Sequence, residues 1–308
     1  MSFVKSIMFL LCLLALCGCE PPGTTANTDD SKLQIIATTG MIADALEEIV
    51  GDQAEVTALM GPGVDPHLYK ATQGDLKRLT DADAVFYNGL HLEGKMGEVL
   101  EKLARLKPVV AVADQLPEAR LINSTDYASA HDPHVWFDVS LWSEAAGIIG
   151  AEMGRIDPPH AKLYQANAKA YQEKLSELHL WVAAEIRKIP ETQRVLITAH
   201  DAFEYFGQAY DIEVRGLQGI STVSEFGLRD VSELVDFITG RGIKAVFVES
   251  SVPEKSLQAV VEGVKQRGHT TKIGGTLYSD AMGAEGTAAG TYPGMVQANV
   301  RTIVEALR

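Results

Sequence analysis

Residues 160–188 read HAKLYQANAKAYQEKLSELHLWVAAEIRK, a stretch without glycine or proline in which Ala, Leu, Lys and Glu predominate. Leu163, Ala166, Ala170, Leu175, Leu178, Trp181 and Ile186 recur at helical spacing. Pro158 and Pro159 stand where a first turn accepts proline, and Pro190 follows the end. The segment is expected to be one helix of roughly 43 Å at ~1.5 Å per residue, long enough to run along two small domains. A helix does not flex as a loop hinge does, so closure between the parts it joins is expected to be small.

On either side of this helix, short β-branched or apolar runs alternate with amphipathic ones. Before it come LQIIATT (33–39), AEVTALM (54–60), AVFYNG (84–89) and KPVVAVA (107–113). After it come RVLITA (194–199), IEVRGL (212–217), IKAVFVES (243–250) and TKIGGTLY (271–278). Helices are expected at 41–50, 95–106, 228–240, 254–267 and 292–307. The fold class is α/β, with two lobes, each a roughly four-stranded parallel sheet flanked by helices, joined by one long rigid helix. The expected organisation is an N-terminal lobe over 33–157, the linking helix over 158–190 and a C-terminal lobe over 191–308. The opening units of the two halves follow one order, which points to an old duplication.

The start of the chain reads as an export signal. Lys5 precedes an apolar run over 7–16, which is too short for a permanent span, and Leu16-Cys17-Gly18-Cys19 has the form of a bacterial lipobox. Residues 1–18 are expected to be a lipoprotein signal peptide, Cys19 the lipidated residue and 19–32 a flexible tether. Cys12 and Cys17 would leave with the signal, so no disulfide is expected and core burial must hold the fold. Hydrophobic residues make up 46% of the chain, enough for two cores. The net charge is −14, and loss of Lys5 would take it to about −15. Such a surface disfavours nucleic acid and anionic lipid and attracts cations.

The chemistry gathers at strand ends. Asp-Pro-His occurs twice, at 65–67 and 132–134; His200 follows RVLITA, and Asp280 follows the last strand in TLYSD. Loops beyond the carboxyl ends of parallel strands are where such sheets bind ligands. His67, His134, His200 and Asp280 offer imidazole and carboxylate donors, the ligand types of zinc and its first-row neighbours. Each proline restrains the backbone before its histidine. His91 in NGLHLEG, Glu225 and Glu249 are candidates for contacts behind the ligands or facing a transporter. His160, His179 and His269 read as structural, and His131 lacks the preceding Asp-Pro. There is no HExxH, CxxC pair, P-loop or GxSxG.

From residue 33 to 308 the chain resembles the metal receptors of ABC transporters of the TroA/ZnuA type, nearest its TroA-like branch. The resemblance is carried by GPGVDPHLY (61–69), YNGLHLEG (87–94), DPHVWFDV (132–139), TAHDAFEYFG (198–207), GLQGISTVSEFG (216–227), FVESSVPEKS (247–256) and GGTLYSDAMG (274–283). It implies a lipid-anchored, extracytoplasmic, monomeric receptor that captures a metal ion through His67, His134, His200 and Asp280 and delivers it to a cognate permease. Manganese-tuned relatives usually carry Glu at the third position, where this chain has His200. Three nitrogens and one carboxylate favour Zn2+ as cargo, with Mn2+ also allowed. The histidine-rich loop and disulfide common in dedicated zinc receptors are lacking. The alternatives are a zinc-dependent hydrolase, with Asp201 or Glu249 as base, and a surface adhesin on the same fold.

Overall fold

The structure is a computed structural model, and it describes residues 32–124 and 130–308. The expected signal segment, Cys19 and nearly all of the tether lie outside the described residues.

The first half runs β1 (Leu33–Ala37), α1 (Gly40–Val50), β2 (Ala54–Ala58), α2 (Gln73–Asp81), β3 (Ala84–Tyr87), α3 (Gly97–Leu103) and β4 (Val109–Ala111). Its strands form one parallel sheet in the order β2-β1-β3-β4. Then come α4 (Val139–Ile156) and α5 (Ala161–Ile186), the linking helix, preceded by a short 3-10 turn at Pro158–His160. The second half runs β5 (Val195–His200), α6 (Glu204–Tyr210), β6 (Glu213–Gln218), α7 (Leu228–Arg241), β7 (Ala245–Glu249), α8 (Lys255–Gln266), β8 (Lys272–Leu277) and α9 (Tyr292–Leu307).

In the second half the four parallel strands lie as two hydrogen-bonded pairs. β5 pairs with β6 and β7 with β8, all parallel, while β5 and β7 lie side by side as two abutting pairs. At the end nearest the histidine cluster, the Glu249 side chain of β7 takes the His200 N–H of β5 at 2.8 Å, where a strand carbonyl would otherwise accept. The spatial order β6-β5-β7-β8 still repeats that of the first half, in keeping with duplication.

Alternation along the strands buries both sheet faces, as parallel sheets require. In β5, Leu196 joins a core shared by both halves, while Val195, Ile197 and Ala199 join a second core under α7 and α8. In β1, Ile35 and Ala37 face the shared core, and Ile36 faces a third cluster with Leu79 and Leu100. The shared core continues through α1, α4, α5 and α9 and so ties the halves together.

The linking helix exists, but its buried face differs from the expected stripe. Tyr164, Ala168, Tyr171, Leu175, Leu178, Val182 and Ile186 are buried, whereas Leu163, Ala166 and Ala170 are exposed. The helix is rotated so that its tyrosines are inside, because each hydroxyl finds a carboxylate: Tyr164 donates to Asp157 at 2.5 Å and Tyr171 to Asp44 at 3.2 Å. Helix α4 lies along α5 at close range. A Cβ on Gly150 would sit 2.6 Å from that of Ala168, so glycine permits the approach.

Candidate metal centre

Two of the expected ligands sit at or just past the carboxyl end of a strand and two lie in loops. His200 ends β5; Asp280 follows β8; His67 lies in turns after β2; His134 precedes the 3-10 turn that leads into α4. The two Asp-Pro-His loops share one local device. Asp65 Oδ1 accepts the N–H of His67 at 2.8 Å, and Asp132 Oδ1 accepts that of His134 at 2.9 Å. This turn is stabilised by an aspartate bonding the backbone two residues on, and it aims the histidine at the strand edge. Asp280 is held from two sides. Asn299 of α9 clamps Tyr278 through both its backbone groups, at 2.9 and 2.7 Å, and the Trp136 indole donates to the Ser279 carbonyl at 3.0 Å.

The four side chains converge. They are buried, with relative exposures of 3%, 0%, 0% and 2% for His67, His134, His200 and Asp280. One ligand atom from each lies within 4.8 Å of all the others. His67 Nε2 is 3.3 Å from His134 Nε2 and 3.6 Å from Asp280 Oδ2. His134 Nε2 is 3.6 Å from Asp280 Oδ1, and His200 Nε2 is 3.3 Å from Asp280 Oδ2. Donors ~2.0–2.1 Å from a tetrahedral ion stand roughly 3.3–3.4 Å apart, so this spacing suits one small ion. The other nitrogens of two rings are backed by carboxylates. Asp132 Oδ1 lies 2.7 Å from His134 Nδ1, and Glu249 Oε2 lies 2.6 Å from His200 Nδ1. Such partners fix the tautomer, leave Nε2 facing the centre and raise ligand basicity.

The electrostatics separate the histidines. Burial lowers His67 to about 3, so its imidazole is neutral and ready to coordinate. Burial also opposes charge on His200, but Glu249 and then Asp280 outweigh it and hold its pKa well above the usual value. Burial would raise Asp280, yet His200, His134 and His67 together keep it below the carboxylate range. The Asp280 carboxylate and the His200 imidazole are thus electrostatically coupled, and a cation bound among these side chains would compete with a proton on His200.

The remaining candidates are scattered. Glu249 stands directly behind His200. His91 is exposed with a left-handed backbone (φ 66°) and lines, with His131, a cleft of about 460 Å³ that reaches His67. Glu225 is exposed on the loop before α7. His160, His179 and His269 contact Asp157, the Tyr210 hydroxyl and the Ile243 carbonyl. Asp132 and Trp136 were not singled out by the sequence, although the repeated tripeptide carried the signal for the first.

Comparison with known proteins gives concordant results. The family described as "Zinc-uptake complex component A periplasmic" matches residues 35–306. The manganese-binding lipoprotein MntA of Bacillus subtilis (strain 168) is 54% identical over 307 residues, covering 100% of this chain and 99% of that protein. The zinc-binding protein TroA of Treponema pallidum (strain Nichols) is 47% identical over 285 residues, covering 92% of each. The solved structure of the periplasmic zinc-binding TroA from Treponema pallidum superposes with a TM-score of 0.87 at 46% identity, covering 90% of this chain and 99% of that one.

Proposed function

The chain belongs to the family of periplasmic zinc-uptake components of the ZnuA/TroA type, and on that basis we propose that it captures one divalent transition-metal ion for an ABC-type importer. The ion is its cargo, held by His67, His134, His200 and Asp280. The observation that carries this reading is the convergence of three neutral-capable imidazoles and one carboxylate, all buried, within 4.8 Å. Glu249 and Asp132 act behind His200 and His134 as orienting carboxylates. The ligand set is complete within one chain, which suits a receptor working as a monomer.

The lipobox at Cys19 and relatives named as lipoproteins support anchoring outside the cytoplasmic membrane, where a permease receives the ion. Among the described residues no helix is long and apolar enough to cross a membrane. Capture, and not hydrolysis, is favoured because four protein donors close a small coordination sphere, while catalytic zinc keeps a position open for water. Zinc stands above manganese in affinity for almost any nitrogen-rich site. The receptor is therefore expected to bind zinc more tightly, a ranking separate from which ion the cell delivers through it. The 54% identical relative is named for manganese.

Calorimetry with zinc and manganese tests the reading. One equivalent of zinc should bind, tighter than manganese, and His67→Ala or Asp280→Ala should weaken binding at least 100-fold while the metal-free protein keeps its melting temperature. Unchanged affinity in either variant contradicts it.

A further inference from the structure

The two Asp-Pro-His loops share a backbone turn but spend the aspartate differently. Asp132 puts a single carboxylate oxygen, Oδ1, on both the N–H and the Nδ1 of His134, at 2.9 and 2.7 Å, so these side-chain contacts stay with its own histidine. Asp65 uses Oδ1 for the His67 N–H and sends Oδ2 across to the other half of the molecule, where Thr222 Oγ1 donates to it at 2.6 Å. Thr222 lies on the loop between β6 and α7. That loop is pinned by Gln218 at the end of β6, whose amide donates to the Thr222 carbonyl at 2.7 Å and to the Ser224 carbonyl. The same loop brings Ile220, Ser221 and Val223 to the wall of the cleft that reaches His67. One hydroxyl thus bridges the loop that presents the first histidine and the loop that walls its approach.

We propose that Thr222 is a positioning residue for metal retention: its bond to Asp65 latches the His67 loop to the C-terminal half, and breaking this latch is what lets the ion leave. The proposal rests on the reading of His67 as a ligand. His134 and His200 are backed by carboxylates within the same loop or the adjoining strand, and both are fully buried. His67 instead depends on a contact between halves, so it is the ligand that can be released without disturbing the shared core. A hydrogen bond to a half-buried carboxylate is strong enough to change a dissociation rate about tenfold when lost. Association should change little, because the ion meets the same four donors.

The test is stopped-flow release of zinc to an excess of chelator, using zinc alone as the probe, with wild type, Thr222→Val, Thr222→Ser and His67→Ala. Valine keeps the shape and removes the donor, and serine restores the donor. The expected result is about tenfold faster release from Thr222→Val, association within twofold of wild type, and near-normal release from Thr222→Ser. Release from Thr222→Val within twofold of wild type overturns the latch, and so does Thr222→Ser releasing as fast as valine. Should valine unfold the metal-free protein, Thr222→Ala is read against the same two limits. His67→Ala binding zinc as wild type does would defeat the ligand assignment, and the latch with it, whatever the Thr222 variants do.

Discussion

Replacing Glu249 by Gln probes the group that most strongly sets the state of the third histidine. Glu249 is 4% exposed; its Oε2 faces His200 Nδ1 at 2.6 Å and its Oε1 takes the His200 N–H at 2.8 Å. Glutamine keeps the shape, but its single carbonyl oxygen can serve only one of these donors, and its amide group then confronts the other. Loss of such a partner behind a metal-binding histidine costs 10–100-fold in affinity, or about 1.4–2.7 kcal/mol. A second consequence has the opposite sign. In wild type, Glu249 and Asp280 hold His200 protonated well above its usual range, against the pull of burial. Below that raised pKa each captured ion must expel a proton, so wild-type affinity falls as pH falls. The variant lowers the His200 pKa and relieves this competition. Its deficit should therefore be greatest near pH 8 and should narrow toward pH 6. Chelator competition for zinc at pH 6, 7 and 8 reads both effects. Affinity within twofold of wild type at pH 8, or a deficit that widens as pH falls, refutes the reasoning.

Two further outcomes concern stability. Burial raises Asp44 from 3.8 to about 6, against the lowering effect of the Tyr292 N–H and Tyr171 hydroxyl. The folded state then holds the proton more tightly than the unfolded chain, so this group favours folding below about pH 4 and loses that contribution as pH rises through about 6, a cost of at most about 3 kcal/mol. Asp44→Asn should therefore raise stability in urea titrations at pH 8, with a gain that shrinks toward pH 4; an equal effect at both pH values would count against it. At the α4–α5 contact, Gly150→Ala places a methyl 2.6 Å from Ala168 Cβ and should destabilise by about 1–3 kcal/mol. Gly154→Ala, with 3.2 Å to Ala161, should cost less in the same thermal melts.

Much of this arrangement was legible in the sequence because it rests on local signals. The eight strands among the described residues announce themselves as short β-branched runs, and the linking helix by its freedom from glycine and proline. The four clustered side chains stand out as repeated tripeptides and as polar residues at or after the ends of apolar strands. What escaped depends on partners distant in sequence. The buried face of α5 could not be read from hydrophobicity, since Tyr164 and Tyr171 go inside only because Asp157 and Asp44 meet their hydroxyls. The carboxylate of Glu249 that takes the His200 N–H is a contact that strand propensity does not register. Glu225 and Glu249 looked alike as acids in loops near strand ends. The fold buries Glu249 behind His200 and leaves Glu225 in solvent. The different second contacts of Asp65 and Asp132 are likewise invisible in two identical tripeptides.

The most direct test of the central claim is a crystal structure of the zinc-loaded protein with anomalous diffraction collected on both sides of the zinc edge. The account predicts one peak within ~2.0–2.2 Å of the Nε2 atoms of His67, His134 and His200 and of an Asp280 oxygen. A zinc peak elsewhere, or none among these four residues in protein that has bound one equivalent, would contradict it.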